Sequence, residues 1–484
     1  MQDPVDKLKE PEELMDSQSQ ARSGLFQSHV IYQVMGVGAV GVGSLVSLLA
    51  MGYTSPALPS MRNDPHFSIT HEQESWVGAV MPACAFVGSI AAGPLVDRLG
   101  RRAVLLHLTW PLVLSWAMIA WAGGVGLVLA GRMLSGVCVG VQTTARVVYM
   151  PEIIQLDLRG PLSVIPALSA NLGLLVSFSG GQYLSWRGLA WLAAALCLPV
   201  LPLLYPLPET PYYLTRTGNR EASLSALRQL RHTAQLAVKE QEEISKKCIA
   251  SEKSSHVSMW EIIQSPNLWP LSVAAALMLA QQTTGYTAVV AFASSILDSE
   301  QSGRDSSSSS MLLGIVNFLC TFLSLYYMSK CRRRYLLLVS AAIIVCSLLT
   351  LSLFFWAQST GGYISAIAKN MSFVPVIALL AYIVGSSLGW RIIPWVFVVE
   401  GMPSRVRGKA SAVVVAINWA SAFLITKTFS WSISSLGAHN TFLGYAVMTG
   451  ISTILIHHSM PETLHQSAAQ MDQLYQEAAK SKQQ

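Results

Sequence analysis

The residues of this 484-residue chain with the most chemical potential are polar side chains stranded inside apolar runs. Gln281-Gln282, Asn317 and Asn418-Trp419 place four carboxamides where hydrocarbon side chains are the rule. A carboxamide both donates and accepts hydrogen bonds. With an aromatic platform such as Trp395, beside Pro394, a cluster of them suits a hydroxylated solute that also has an apolar face. An amide between spanning helices can instead only tie them together; four amides from three separate runs favour the site. Arg391 lies four residues before Trp395 and shares its helix face. It either faces the solute, narrowing the site and favouring a carboxylate, phosphate or strong acceptor, or points between helices to bond carbonyls freed by the Pro394 kink. Arg146 is a second cation, six residues before Glu152 and within reach of that carboxylate or the interface. Bond-making chemistry is not provided for: the runs hold no Ser/His/Asp or paired-carboxylate arrangement, and no loop is built to cradle phosphate. The seven cysteines have no ligand-type spacing. We therefore expect no enzyme activity, metal, cofactor or disulfide.

The elements that must position these groups follow from composition. The chain is 52% hydrophobic and 12% charged, whereas ordinary globular chains carry about 25% charged residues. A soluble enzyme, a nucleic-acid binder, a disordered scaffold and a single-span receptor are all excluded. Apolar runs long enough to span recur at 31–51, 76–96, 103–121, 127–149, 162–184, 189–207, 270–296, 312–328, 336–356, 373–399, 410–429 and 442–456. They must be helices, since barrel strands alternate and are only about ten residues long. The expected fold is an all-α integral membrane protein of twelve transmembrane helices in two six-helix, pseudo-symmetric bundles. Residues 1–30 form a polar N-terminal segment with no signal peptide, so the first span serves as the membrane address. The first bundle is 31–207, a linker with short helices 208–269, the second bundle 270–458 and the tail 459–484. Of 32 Lys and Arg, 24 fall on the side of the termini and 4 (Arg62, Arg187, Arg304, Lys369) on the other. The positive-inside rule then puts both termini in the cytosol. The lipid bilayer and a small solute are the expected partners, without nucleic acid, and the chain is taken as a monomer.

An internal repeat supports two halves. Glu152 precedes Arg159-Gly160 by seven residues, as Glu400 precedes Arg407-Gly408, at an offset of 248. Pro208-Glu209-Thr210 recurs as Pro461-Glu462-Thr463, Gly52-Tyr53 as Gly285-Tyr286, and Arg101-Arg102 as Arg333-Arg334. An ordered set at near-constant offsets seldom arises by chance. Within the linker, 220–231 reads as an amphipathic helix. The run Ser306 to Ser310 reads as a flexible connector, and Asn370-Met371-Ser372 as a glycosylation sequon on the outer side.

Gly93-Pro94-Leu95-Val96-Asp97-Arg98-Leu99-Gly100-Arg101-Arg102 closes the second span with glycines for a tight turn and charges for pairing with neighbouring helix ends. Here the chain resembles the major facilitator superfamily, in its sugar-porter branch. The resemblance runs from about Gly52 to Thr463. It includes Gly131-Arg132, Gly136, Gly140, Tyr149 with Glu152, Pro208-Glu209-Thr210-Pro211, Gln281-Gln282, Gly314-Ile315-Val316-Asn317, Pro394-Trp395, Glu400 and Asn418-Trp419. The stretches 52–61, 73–78, 314–319 and 425–429 are similar to the insect facilitated trehalose transporters. The resemblance implies a plasma-membrane carrier working by alternating access. It implies that Gln281, Gln282, Asn317, Trp395, Asn418 and Trp419 contact the sugar. It also implies a cytosolic gate of Asp97, Arg98, Arg101, Glu152, Arg159, Glu209, Arg333, Arg334, Glu400, Arg407 and Glu462, in which the glutamates pair with the arginines.

Several positions depart from the family pattern. Ala167, Thr287, Ala291 and Phe292 replace hydrogen-bonding residues. Gly389-Trp390-Arg391-Ile392-Ile393-Pro394 stands where Gly-Pro-Ile-Pro is usual, and Tyr212 where an arginine is expected. The second-half copy of the turn motif, 329–334, lacks its acidic residue. Thr54 occupies the position of the aspartate found in proton-coupled relatives, so transport is expected to be passive. The expected function is a facilitative carrier of a glucose- or trehalose-like sugar. The alternatives are a carrier of another small, anionic solute and a non-transporting nutrient sensor.

Overall fold

The computed structural model describes residues 28–253, 268–298, 306–360, 371, 373–401 and 407–462. Every element in it is a helix. The first half holds α1 (Ser28–Gly52), α2 (Thr54–Arg62), α3 (His71–Leu99), α4 (Arg101–His107), α5 (Thr109–Ala120), α6 (Val125–Ile153), α7 (Leu156–Tyr183), α8 (Trp186–Cys197) and α9 (Val200–Leu204). The linker adds α10 (Pro211–Arg216), α11 (Arg220–Leu230) and α12 (Ala234–Lys253). The second half holds α13 (Leu268–Thr283), α14 (Tyr286–Asp298), α15 (Ser306–Lys330), α16 (Arg333–Ser359), α17 (Val374–Leu388), α18 (Ile393–Glu400) and α19 (Arg407–Ser459).

Among the described residues, ten helical stretches are long and apolar enough to cross a membrane. Twelve runs become ten stretches for two reasons. Gly285, at φ +82°, breaks the seventh span into α13 and α14, each too short to cross alone. Gly437, at φ +81°, bends α19, which carries the eleventh and twelfth runs on one continuous element. The connector expected between 429 and 442 is thus helical up to a sharp bend. Its residues Trp431, Ile433 and Leu436 continue the apolar pattern, and only the left-handed glycine interrupts it. Ser306 to Ser310, expected as a loose connector, forms the first turns of α15, where the buried Ser310 hydroxyl bonds Ser294 (3.0 Å). The sequon Asn370 lies outside the described residues.

Helix starts follow local chemistry. Thr70 and Gln73 form a reciprocal capping box that opens α3, and Asn219 caps α11. Close helix contacts follow the small residues. A Cβ on Gly136 or Gly140 of α6 would strike the carbonyls of Met81 and Ala85 on α3, so only glycine allows these backbones to touch. α1 packs on α7 and α5 on α6 and α8, while α16 packs on α17 and α19. The halves meet along α3 with α19, α7 with α15 and α2 with α14. Outward, Ile90, Leu114, Leu319, Leu353, Ile377 and Ile454 are exposed, as a lipid-facing surface requires. Trp121 and Tyr183 are exposed at one end of the bundle and Tyr205 and Tyr335 at the other, like aromatic anchors. The linker is docked, not loose. Gln33 of α1 donates to Leu230 O (2.8 Å), and Arg231 reaches Ile153 O (3.0 Å) while pairing with Glu240 (2.6 Å).

Candidate functional site

The break at Gly285 gathers the amides. Gln281 and Gln282 end α13, and Tyr286 and Thr287 begin α14. Asn418 of α19 donates to Gln281 Oε1 (2.9 Å) and accepts from Gln282 Nε2 (3.3 Å); Gln282 Oε1 accepts from Thr287 (2.5 Å). Gln281 Nε2 donates to the carbonyls of Trp390 (2.9 Å) and Arg391 (3.0 Å). Asn317 of α15 donates to Asn171 of α7 (2.9 Å), a bond between halves, and accepts from Ser387 (3.4 Å). All four amides are buried and satisfied by protein groups. Trp419, beside Asn418, is buried with no partner for its indole N–H among the described residues. Trp395 is half-buried against the same apolar cluster.

Arg391 lies in the turn between α17 and α18. Its Nη1 donates to Tyr286 Oη (3.0 Å) and to Asn317 Oδ1, and Nη2 to Thr321 Oγ1 (3.5 Å). The guanidinium also stands over the Tyr286 ring, 5.7 Å from its centroid. Of the two expectations, bonding to the freed carbonyls is not what the guanidinium does. The carbonyls freed by the helix break are occupied by Gln281, so the Arg391 side chain is turned to side-chain oxygens of α14 and α15.

Two further arginines are buried within α6 in the first half. Arg132 donates from Nη1 to Ala50 O (2.5 Å), from Nη2 to Thr54 Oγ1 (3.0 Å) and from Nε to Val77 O (3.3 Å). Arg146 does not reach Glu152. It bonds Ser44 (2.8 Å) and Ser47 (3.1 Å) of α1, Thr143 (3.1 Å) and Gln142 O (3.1 Å). The serines are nearer because Arg146 projects toward α1, whereas Glu152 ends α6 and meets α4.

The charged motifs collect at one end of the bundle, here called the basic end. Arg101 Nε lies 3.2 Å from Glu152 Oε2, an ion contact without hydrogen-bond alignment. Among the described residues, Glu209 pairs with no arginine side chain. Its carboxylate accepts the backbone N–H groups of Arg101 and Arg102 (both 3.0 Å) and Ala103 (3.1 Å). Glu462 repeats this on α16, accepting the N–H groups of Arg333 (3.3 Å) and Arg334 (3.4 Å). Free amides at a helix start attract a carboxylate, and a glutamate near this turn satisfies several at once. Gly100, at φ +94°, leaves no room for a Cβ beside Glu209. Asp97 pairs with Arg216 of α10 (2.7 Å), while Arg98 is exposed and its carbonyl accepts from Tyr213 (2.8 Å). The side chains of Arg159, Glu400 and Arg407 lie outside the described residues.

The opposite end joins the halves through serine hydroxyls and a cation–π contact. Ser55 and Ser294 hydroxyls bond (2.9 Å), and the Ser294 N–H donates to Ser55 (3.0 Å). Lys427 stands over the Trp76 ring (4.1 Å). Within the first half, Arg62 grips Glu74 with two bonds (2.5 and 2.6 Å). Asp64 takes the His66 N–H (3.0 Å), the Trp186 indole N–H (3.1 Å) and Arg187 (2.5 Å). These donors hold its carboxyl below the usual carboxylate range, the His66 amide first. Sequence reasoning missed Asn171, Tyr286, Thr321, Ser55 and Ser294 because each is an ordinary residue whose partner lies in a distant helix.

A family model described as "Sugar (and other) transporter" matches residues 18–475. The facilitated trehalose transporter Tret1 of Polypedilum vanderplanki is 34% identical over 447 residues, 92% of this chain and 88% of that protein. Tret1 of Anopheles gambiae is 36% identical over 436 residues, 89% of this chain and 54% of that protein, so the chain spans about half of its length. The proton:xylose symporter XylE bound to 6-bromo-6-deoxy-D-glucose superposes with a TM-score of 0.74 at 20% identity, covering 92% of this chain and 99% of that one. The inward open xylose transporter XylE from E. coli gives 0.72, also at 20% identity, over 90% and 98%. At that identity the likeness is one of fold.

Proposed function

We propose, from the premise that this chain belongs to the sugar (and other) transporter family and is a multi-pass carrier rather than an enzyme, that it moves a glucose- or trehalose-like sugar passively across a membrane by alternating access. The amide cluster carries the reading. Gln281, Gln282, Asn317 and Asn418 are already paired, so a sugar hydroxyl would exchange one neutral hydrogen bond for another. Such exchanges are close to balanced, each bond being worth only about 0.5–1.5 kcal/mol net. The cluster is therefore inexpensive to open to a hydroxylated solute. Trp395 and Trp419 supply the rings against which the apolar face of a sugar would rest.

Thr54 supports passive transport. It cannot titrate, and its hydroxyl is held by Arg132, so this position offers no proton to couple. In this reading the basic end faces the cytosol of a cell whose plasma membrane holds the protein. Arg101 with Glu152, the caps made by Glu209 and Glu462, and Asp97 with Arg216 form the cytosolic gate, joined by Arg98, Arg159, Arg333, Arg334, Glu400 and Arg407. Several weak contacts of this kind can bias two states that lie within a few kcal/mol of each other. The test is uptake of labelled trehalose and glucose into proteoliposomes, with and without a pH gradient. Equilibration without accumulation is expected. Accumulation that collapses when the pH gradient is removed would overturn the passive mode.

A further inference from the structure

We propose that the solute carries a carboxylate or phosphate on its hydroxylated frame and that Arg391 is its counter-charge. This rests on the carrier reading above and narrows its substrate class.

A full charge deep in a membrane bundle is costly, so it must be compensated or used. Arg391 touches Asn317, near the middle of α15, and its carbonyl is held by Gln281, so it belongs to the amide cluster. Its side-chain partners are Tyr286, Asn317 and Thr321, all neutral. None of the ion pairs among the described residues includes it.

Its donors are also not exhausted. A guanidinium has five N–H groups. Three are used here, and Nε is neither hydrogen-bonded nor sealed away from open space. The residue is only partly buried. Arg132 also bonds through three of its five N–H groups and Arg146 through four, but both are buried and have all three nitrogens engaged, so neither offers a nitrogen to a solute. The amide oxygens around Arg391 each already accept at least one bond, from Asn418, Gln282, Thr287, Ser387 and Arg391 itself. Left without a partner among the described residues are donors: two guanidinium N–H groups and the Trp419 indole N–H. A sugar hydroxyl can accept from such donors through its two lone pairs, but it brings no charge to meet that of Arg391. Surplus donors with a positive charge match an anionic acceptor, and guanidinium grips carboxylate and phosphate with two parallel bonds.

The experiment uses the full chain in proteoliposomes. Uptake of labelled glucose and trehalose is compared with that of glucuronate and glucose 6-phosphate, with intrinsic tryptophan fluorescence as a binding readout. Arg391→Gly and Arg391→Gln are measured beside the parent protein, with thermal unfolding to establish that each variant is folded. The expected result is that one of the anions is carried at least about tenfold better than neutral glucose, the scale of one charge-assisted hydrogen bond. Both variants should lose that preference and gain neutral uptake. An inside-positive potential should raise anion uptake, since a uniporter of an anion moves charge. Uptake of neutral sugar without competition by either anion, unchanged in Arg391→Gln, overturns the inference and leaves the carrier reading standing. If the folded protein neither carries nor binds any of the four solutes, the inference and the sugar-carrier reading fall together.

Discussion

Each half of the molecule buries a guanidinium ahead of its repeated glutamate, Arg146 six residues before Glu152 and Arg391 nine before Glu400, and the two are treated in opposite ways. In the first half Arg146 and Arg132 are closed off, their donors tied to serine, threonine and backbone oxygens of α1, α2, α3 and α6. These charges fasten helices together. In the second half the helix break after Leu388 gives its freed carbonyls to Gln281 and leaves Arg391 incompletely used. A charge becomes available for binding only when the fold stops short of satisfying it.

The sharpest way to break this contrast is by stability. Arg132→Lys keeps a charge in place but loses the planar fork that reaches Ala50, Thr54 and Val77. We expect it to lower folding stability by about 2–4 kcal/mol, from the loss of two or three interhelical bonds around a charge that stays buried. Arg391→Gln should change stability by less than about 1 kcal/mol, since losing its bonds is offset by removing a membrane-buried charge. Thermal unfolding of the purified protein compares the two, and equal losses would erase the distinction.

The halves also differ at the basic end. Glu209 caps α4 through three amides at 3.0–3.1 Å, whereas Glu462 reaches two on α16 at 3.3 and 3.4 Å. Glu209→Gln keeps one acceptor oxygen and loses the charge at the helix start, for an expected cost of about 1–2 kcal/mol. Glu462→Gln should cost less. The same unfolding assay ranks them, and a larger loss for Glu462→Gln would contradict the geometry. A smaller effect is expected from Asn171→Ala, which removes the partner of Asn317 across the halves. Interhelical bonds in membranes average about 0.6 kcal/mol, so a loss of up to about 1.7 kcal/mol is expected. Faster cysteine labelling of a probe placed between α7 and α15 would report the loosened contact, and an unchanged rate would count against it.

The smallest effect is a pH dependence at the opposite end. The Asp64 carboxyl has a lower pKa folded than unfolded, so it contributes stability above the unfolded value of about 3.9. That contribution is lost as pH falls through the lower folded pKa. Melting temperature should therefore be insensitive to this group near neutral pH and should fall below about pH 4. Asp64→Asn should flatten this acid limb; an unaltered limb would assign it to other groups.

Much of the architecture was legible because membrane solvation is a severe filter. Twelve apolar runs, a basic excess on one side and the repeat about Glu152 and Glu400 are one-dimensional facts. The errors share a cause. The residues 430–441 and Ser306 to Ser310 looked like connectors because they are polar or small, yet a helix continues until something stops it, and in α19 only Gly437 does. Glu152 does meet a guanidinium, that of Arg101, whereas Glu209, once the chain has turned at Gly100, accepts three amides at the start of α4.

The sequence by itself determined the apolar spanning runs, the absence of a titratable group at position 54 and the presence of amides and arginines within the spans. Only the tertiary structure decided which of those polar groups are consumed and which are left over. Gln281 meets Arg391 across 110 positions, Asn317 meets Asn171 across 146, and Arg132 meets Ala50 across 82. Helical periodicity tells which face a side chain occupies, but the register and rotation of one helix against another are set by packing. A hydrogen bond of about 3 Å with a preferred direction depends on both.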